Sequence, residues 1–267
     1  PEMRSLAAGR LPQWEGSLGF GMPFLSDPSF QAFYPLTWLN LVLQPSVVFS
    51  VMVVAHTLLG AIGVFRLLRK RLRSREAAWA GAITFVAAGA IVSSANLWHH
   101  YASAMYMPWI ADAFLAVLRG RGSLVRLAVL AALQLLAGSA DVVLMTAFGL
   151  VFLLPLRPRR LRKVAPHLVG AAVLCFALAA AQWVPTIRGV AATERTALTA
   201  YDRLYWSVPP GALMDFVLPL TGVDHARDEL PDALEHRFRL MTSMYLGAST
   251  LPLLFVGARR WPRGAVL

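Results

Sequence analysis

The chain has 267 residues, of which 57% are hydrophobic and 15% are charged, and its mean hydropathy is +0.58. Because soluble domains carry about 25% charged residues, this composition excludes an ordinary soluble enzyme and indicates a membrane protein. The formal net charge of +11 would by itself suggest a nucleic-acid partner. A single cysteine, Cys175, excludes an intrachain disulfide and a cysteine metal site.

Residues 1–45 form the first segment, and its part 11–35 is too apolar for a solvated linker and too rich in glycine and proline for a helix. Its aromatic residues include Trp14, Phe20, Phe24, Phe33, Tyr34 and Trp38. They predict a position at the membrane interface, where aromatic rings lie at headgroup depth. The rings form either a belt that holds the loop to the membrane or the wall of a groove for a lipid-borne substrate.

Seven apolar stretches follow, and most approach the roughly 20 residues that a membrane-spanning helix needs. The predicted spans are 46–68, 76–95, 102–118, 123–138, 141–156, 164–187 and 241–257. The fourth and fifth are short, and they are either helices in a thin membrane or a partly re-entrant hairpin covered by protein. The predicted fold is therefore an all-α polytopic membrane protein, with about seven transmembrane helices in one domain, 1–267.

Basic clusters lie at every second junction between these stretches, which is the pattern of the positive-inside rule. The clusters are 66–75, Arg119 with Arg121, 157–163, and Arg259, Arg260 with Arg263. Their side of the membrane carries 17 basic residues and one acidic residue, and the other side carries 8 basic and 12 acidic residues. A cytoplasmic face of +16 and an outer face of −4 remove nucleic acid as a partner.

This orientation puts two large loops, 1–45 and 188–240, on the extracytoplasmic face with the short junctions 96–101 and 139–140. The cytoplasmic junctions are 69–75, 119–122 and 157–163. Because the chain begins at Pro1 and its first loop is translocated, we expect one more span upstream.

The short outer junctions carry ionisable residues. His99 and His100 are either interfacial histidines with no special task or functional residues that shuttle a proton, hold a metal ion, or bond a phosphate or sugar. Adjacent residues on a helix diverge, so the two do not easily grip one ion. Asp141 begins the fifth stretch. Its carboxylate either caps that helix or serves as a catalytic acid or metal ligand at the mouth of a span.

The second large loop carries three arginines against the positive-inside trend, namely Arg188, Arg195 and Arg203. They either grip a phosphate or pyrophosphate or pair with Glu194 and Asp202.

Two further ionisable residues, His56 and Asp112, fall inside predicted spans, where such groups mark functional sites by default. We favour a structural role for both. Asp112 precedes Arg119 by seven residues, so it can pair along its own helix toward the cytoplasm.

The outer segments resemble, in the order of their motifs, the bacterial YfhO-like membrane proteins. The matching residues are Leu11-Pro12-Gln13-Trp14, Gly21-Met22-Pro23, Asp27-Pro28, Phe33-Tyr34-Pro35, Pro108-Trp109, Leu136-Ala137-Gly138, Gln182-Trp183-Val184-Pro185-Thr186, Glu194-Arg195, Ser207-Val208-Pro209-Pro210, Pro219 with Gly222, and Tyr245-Leu246-Gly247. The resemblance covers nearly the whole chain. Family members commonly carry Gly-His-Pro near the turn before the fifth span, where this chain has Gly138-Ser139-Ala140-Asp141.

That family is similar to the GT-C glycosyltransferases, and the resemblance implies a multi-pass enzyme of the bacterial cytoplasmic membrane. Such an enzyme moves a sugar from a polyprenyl-phosphate donor to an acceptor on the outer face, here a cell-envelope glycopolymer or lipid. The carboxylate usually taken as catalytic in such folds lies near the start of the first outer loop, and we expect it upstream of Pro1.

The reaction displaces a lipid phosphate at an anomeric carbon, so it needs a proton acceptor and positive charge for the leaving group. We assign the acid–base or metal role to Asp141 and then Asp27, and the phosphate to Arg195 and then Arg188. The other predicted substrate contacts are Trp14, Tyr34, His99, His100 and Glu194. A divalent cation, Mg²⁺ or Mn²⁺, could assist. The alternatives are a transporter or flippase, which predicts repeats and broken helices, and a non-catalytic scaffold.

Overall fold

The computed structural model describes residues 13–16, 21–72, 74–154 and 158–191, together with the isolated positions 5, 8, 9, 216, 245 and 246. These residues are mostly helical. The helices are α1 Pro45–Arg69, α2 Arg75–Ala87, α3 Gly89–Ser94, α4 Trp98–Ala104, α5 Met107–Leu118, α6 Leu124–Leu136, α7 Ala140–Val151 and α8 Pro158–Ala191. The first loop holds a two-stranded antiparallel ladder, β1 Trp14–Glu15 with β2 Met22–Pro23. Three 3-10 turns follow it, at Phe24–Ser26, Pro28–Phe30 and Pro35–Leu41.

Three helical segments of this part of the chain are long and apolar enough to cross a membrane: Pro45–Arg69, Trp98–Leu118 and Leu161–Val190. They correspond to the first, third and sixth predicted spans, and they support the membrane class of the fold. Helices α6 and α7 are apolar but shorter. The seventh predicted span, 241–257, lies outside the described residues.

The second predicted span, 76–95, is a broken helix in the structure. Ala88 adopts an extended conformation with ψ of 135° and separates α2 from α3. The amide of Gly89 donates to the carbonyl of Tyr245 at 2.8 Å. A tertiary contact from a distant residue therefore accompanies the break, and local hydropathy does not encode it.

Helix boundaries follow ordinary capping chemistry. Proline occupies the first turn of α1, where the missing amide proton costs no hydrogen bond. Ser74, Ser123 and Ser139 each accept a backbone N–H with the side-chain hydroxyl at the start of α2, α6 and α7. Glycines with positive φ, Gly120 (71°) and Gly138 (95°), lie in the turns that follow α5 and α6.

The buried core lies between α1, α5, α6 and α8. Its members are apolar residues of the helices, among them Val48, Met52, Ile110, Phe114, Leu127, Ala132, Leu135, Ala171, Cys175 and Ala179. Cys175 is therefore a packing residue. The outward faces of α1 and α8 are also apolar, for example at Val54 and Val173, as expected for helices that meet lipid.

At one end of the bundle, which we call the loop end, the first loop contacts three parts of the helical region. The Gln31 side chain donates to the Ala137 carbonyl at 2.6 Å and accepts from the Trp98 indole at 2.6 Å. The Gln182 amide donates to the Leu25 carbonyl at 3.0 Å. The first loop therefore packs on the start of α4, the α6–α7 turn and the last part of α8.

The opposite end, which we call the basic end, contains the turns after α1 and α5. Lys70 and Arg126 donate to the Asp112 carboxylate at 2.6 and 3.1 Å. The sequence predicts Arg119 as the partner of Asp112, and this partner is wrong, because Lys70 and Arg126 bind the carboxylate instead. Seven residues along a helix separate Asp112 from Arg119 by about 10 Å. The structural role of Asp112 is supported, since both cations come from other segments and link α5 to α6 and to the turn after α1.

Candidate functional site

The loop end holds a hydrogen-bonded group built on Asp141 in the first turn of α7. One carboxylate oxygen lies 2.6 Å from His100 Nε2 in α4, and the other accepts from the Ser139 hydroxyl at 2.9 Å. Ser139 also caps α7, so the cap that starts the helix fixes the carboxylate beside it. The structure therefore brings together two residues that the sequence proposed separately, Asp141 and His100.

The His100 ring has a defined orientation. A carboxylate accepts hydrogen bonds, so the nitrogen facing Asp141, Nε2, carries a proton. The other nitrogen, Nδ1, is closed off from solvent and has no hydrogen-bond partner among the described residues. The His100 side chain is 11% exposed, whereas Asp141 is 51% exposed. A neutral His100 thus has its lone pair on the buried Nδ1 while Asp141 orients the ring through Nε2, which is the arrangement of a Ser–His–Asp triad with the two ring nitrogens exchanged.

His99 and Asp27 lie next to this group. The rings of His99 and His100 are 4.3 Å apart between centroids, and the charges of both Asp27 and Asp141 act on His99. The Asp27 carboxylate also accepts from the Ser29 amide at 2.8 Å, which caps the second 3-10 turn. Asp27 therefore has a structural hydrogen bond and contributes negative charge to the site.

Trp14 and Arg188 lie at the same end but outside this group. Trp14 pairs with Pro23 in the strand ladder, and its ring lies over Gly21 with 61% of the residue exposed. Arg188 is exposed in the last part of α8, beside Gly189, which packs against Ser26. The predicted phosphate ligand Arg195 and its neighbour Glu194 lie outside the described residues, as do Arg203, Asp202 and most of the second large loop.

Tyr34 is fully buried and contacts two other side chains. Its hydroxyl lies 2.6 Å from His56 Nε2 and 2.7 Å from the Tyr106 hydroxyl. Burial, with a further contribution from Tyr106, raises the pKa of Tyr34 far above its ordinary value, so the hydroxyl keeps its proton. Tyr34, His56 and Tyr106 line a cavity of about 400 Å³.

Two residues of the loop end, Ser139 and Gln31, are not predicted as site residues from the sequence. Ser139 belongs to the turn before α7, and its contact with Asp141 depends on that turn's geometry. Gln31 gives no signal in the sequence. The Gln31 backbone adopts a left-handed conformation, φ 55°, that residues other than glycine rarely take, and the two hydrogen bonds of its side chain hold it there.

The described residues do not assemble a site for the expected Mg²⁺ or Mn²⁺. Magnesium prefers several oxygen ligands in octahedral geometry. In the described part of the chain, no three His, Cys, Asp or Glu side chains converge on one point, and both Asp141 oxygens already bond Ser139 and His100. We therefore assign no step to a metal ion.

No protein-family model, no curated protein and no solved structure matches the chain. The resemblance to the YfhO-like proteins thus stays a prediction from the sequence motifs. The geometry of the loop end and the charge pattern support the function proposed below.

Proposed function

We propose that the chain belongs to a GT-C-type membrane glycosyltransferase that moves a sugar from a polyprenyl phosphate to an extracytoplasmic acceptor, a cell-envelope glycopolymer or lipid. The observation that carries the proposal is the Asp141–His100 pair, with its unpartnered Nδ1, at the end of the bundle where the first loop packs. The proposed enzyme spans the bacterial cytoplasmic membrane about seven times.

The proposed orientation puts the loop end outside. Hydrogen bonds join Gln31 of the first loop to Trp98 and to Ala137, which lie at or beside the two short junctions predicted to be outside. Lys70, from the predicted cytoplasmic junction 69–75, meets Arg126, near the start of the fourth predicted span, at the opposite end. A single active face built from several outer segments is what a transferase acting outside the cytoplasm requires.

The proposed reaction forms a bond between an acceptor hydroxyl oxygen and the anomeric carbon while the bond from that carbon to the lipid phosphate breaks. In this step the hydroxyl proton passes to Nδ1 of His100, which has no partner among the described residues and which the bound acceptor has to uncover, because the atom is closed off from solvent. Asp141 stabilises the imidazolium that forms. Arg188, in the last part of α8, and Arg195 are the proposed cations that stabilise the departing phosphate.

A lipid-linked substrate flippase is the second candidate, and the broken helices favour it. The second predicted span is interrupted at Ala88, and Met105 and Tyr106 separate α4 from α5 near the buried His56. Discontinuous helices beside buried ionisable groups are typical of transporters.

The test uses the full-length protein in vesicles supplied with labelled polyprenyl-phosphate sugar. We expect label in an acceptor lipid or glycopolymer, and we expect His100→Gln to reduce this transfer at least about 100-fold. His167→Gln is the matched control. His167 is an exposed histidine in the first part of α8, whereas the last part of α8 contacts the loop end.

The other outcomes separate the alternatives. No transfer to any envelope acceptor would overturn the enzyme proposal. Movement of the labelled lipid across the membrane without transfer would support the flippase, and neither activity would favour a scaffold. Equal rates for His100→Gln and His167→Gln would remove His100 from the reaction.

A further inference from the structure

A second polar group lies deeper in the bundle, on the wall of the cavity of about 400 Å³. The cavity lies between the first loop, α1, α5 and α6. Its lining consists of Tyr34, Pro35, Leu36, Ala55, His56, Leu59, Tyr106 and Leu133. The volume falls within the range of small-molecule sites. None of these lining residues is a lysine, arginine, aspartate or glutamate.

The direction of each hydrogen bond on this wall follows from one backbone group. His56 Nδ1 lies 2.7 Å from the Met52 carbonyl, which can only accept, so Nδ1 carries the proton. Among the described residues, His56 contacts no carboxylate that would favour a charged ring in this buried position, so Nε2 carries a lone pair. Tyr34 then donates to Nε2, and Tyr106 donates to Tyr34.

All three protons of this chain of hydrogen bonds are therefore in use. The hydroxyl oxygens of the polar wall can still accept a hydrogen bond from a ligand. The Tyr106 oxygen is the best acceptor, because this hydroxyl donates to Tyr34 but accepts from no described group. A ligand for this cavity must bring a hydrogen-bond donor. An anion finds neither a cation nor a free donor here, and burying it would be costly.

We propose that the cavity binds a neutral lipid alcohol, an apolar chain whose terminal hydroxyl donates to the Tyr106 oxygen. The five remaining lining residues, Pro35, Leu36, Ala55, Leu59 and Leu133, are apolar and suit the chain. This site is separate from the Asp141–His100 pair, and the proposal does not rest on the transferase activity. Isoprenoid alcohols and diacylglycerols share this chemistry.

The test measures binding of three ligands that share one apolar body to the protein in lipid nanodiscs. The ligands are tritiated farnesol, its methyl ether and its phosphate, each compared at equal mole fraction in the lipid. We expect farnesol to bind about fivefold more tightly than the ether, the effect of one hydrogen bond, and the phosphate to bind at least about tenfold more weakly than farnesol. Competition by unlabelled dioleoylglycerol and by a longer polyprenol identifies the source of the natural alcohol.

Matched variants locate the site. Tyr106→Phe should reduce the preference for farnesol over the ether toward one, whereas Tyr101→Phe should leave it unchanged. Tyr101 is a suitable control because its hydroxyl also faces α1, bonding Thr57, but lies outside the cavity lining. Ala55→Leu should fill the cavity and weaken both ligands at least about fivefold. Thermal unfolding of each variant checks that the protein is folded.

Equal binding of farnesol and its ether by the unmodified protein would overturn the proposal. Tighter binding of the phosphate would also overturn it, as would a preference for the alcohol that survives Tyr106→Phe. Loss of transferase activity in any variant has no bearing on these outcomes.

Discussion

Two aspartates at opposite ends of the bundle occupy contrasting environments. Asp112, at the basic end, has a side chain 6% exposed and is held by Lys70 and Arg126, at 2.6 and 3.1 Å. Asp141, at the loop end, has a side chain 51% exposed and is held by His100 and Ser139, at 2.6 and 2.9 Å.

The partners decide what each carboxylate can do. Lys70 and Arg126 neutralise Asp112 and join three segments, which is a structural task. In the proposed reaction the imidazole of His100 accepts a proton, and the charge of Asp141 stabilises the imidazolium. The chemistry of the neighbouring side chains therefore says more about the role of an aspartate than its position within a helix.

The largest expected difference between the two aspartates is in catalysis. Asp141→Asn should lower the rate of sugar transfer about 1,000-fold, since an amide can donate to Nε2 and so favour the tautomer that has a proton on Nδ1. Asp112→Asn should change the rate less than about threefold. Initial rates in vesicles measure both, and losses of equal size would contradict the assignment.

A stability test addresses the basic end. Replacing both cations, Lys70→Met with Arg126→Met, leaves the buried Asp112 carboxylate unpaired and should lower the free energy of unfolding by about 3 kcal/mol. Adding Asp112→Asn should restore at least about half of this loss. Unfolding by detergent titration gives the values. Each single cation variant should cost about 1 kcal/mol or less, because both side chains are partly exposed and screened.

Two of the positive-φ glycines, one at each end of the bundle, allow a direct comparison of the two ends. At Gly138 (φ 95°) a methyl group would overlap the Pro28 carbonyl, whereas at Gly120 (φ 71°) it would meet open space. Gly138→Ala should therefore cost about 2–3 kcal/mol and loosen the first loop, and Gly120→Ala only the backbone strain of about 1 kcal/mol. The same detergent titration measures both, and equal costs would show that the first loop does not pack tightly on the α6–α7 turn.

The smallest expected effect separates two serine caps. Ser139→Ala at the loop end and Ser123→Ala at the basic end should each cost about 1 kcal/mol of stability, because each removes a helix N-cap. Only Ser139→Ala should also slow transfer, since Ser139 alone of the two bonds Asp141. A rate reduction in Ser123→Ala of the same size would mean that the effect comes from general loss of stability.

The sequence predicted those helices best whose boundaries are encoded locally. The span predicted at 46–68 is α1, Pro45–Arg69, because an unbroken apolar run lies between a proline and a basic cluster. The span predicted at 76–95 breaks at Ala88, where Gly89 bonds a residue more than 150 positions later. No local pattern contains that partner.

In the candidate site, too, the residue types follow from the local sequence, whereas the contacts between them depend on tertiary packing. Asp141, His100, His99 and Asp27 could be proposed from residue type and from the predicted outer face, and the structure brings all four to the loop end. Their pairing could not be predicted, because the contact between His100 and Asp141 depends on how α4 packs beside α7. The donor role of Tyr34 toward His56 was hidden for the same reason, since it depends on the placement of a loop.

Helix α7 has 12 residues, Ala140–Val151, and is therefore about 18 Å long. The hydrocarbon core of a bilayer is about 30 Å thick, so if α7 crosses the membrane by itself and is not part of a re-entrant hairpin, the lipid beside it must thin to match it. Asp141 stands in the first turn of that helix. In that case hydrophobic mismatch draws the water–lipid boundary toward the proposed reaction centre, and the acyl-chain length of the surrounding membrane becomes a determinant of how a lipid-borne head group reaches it.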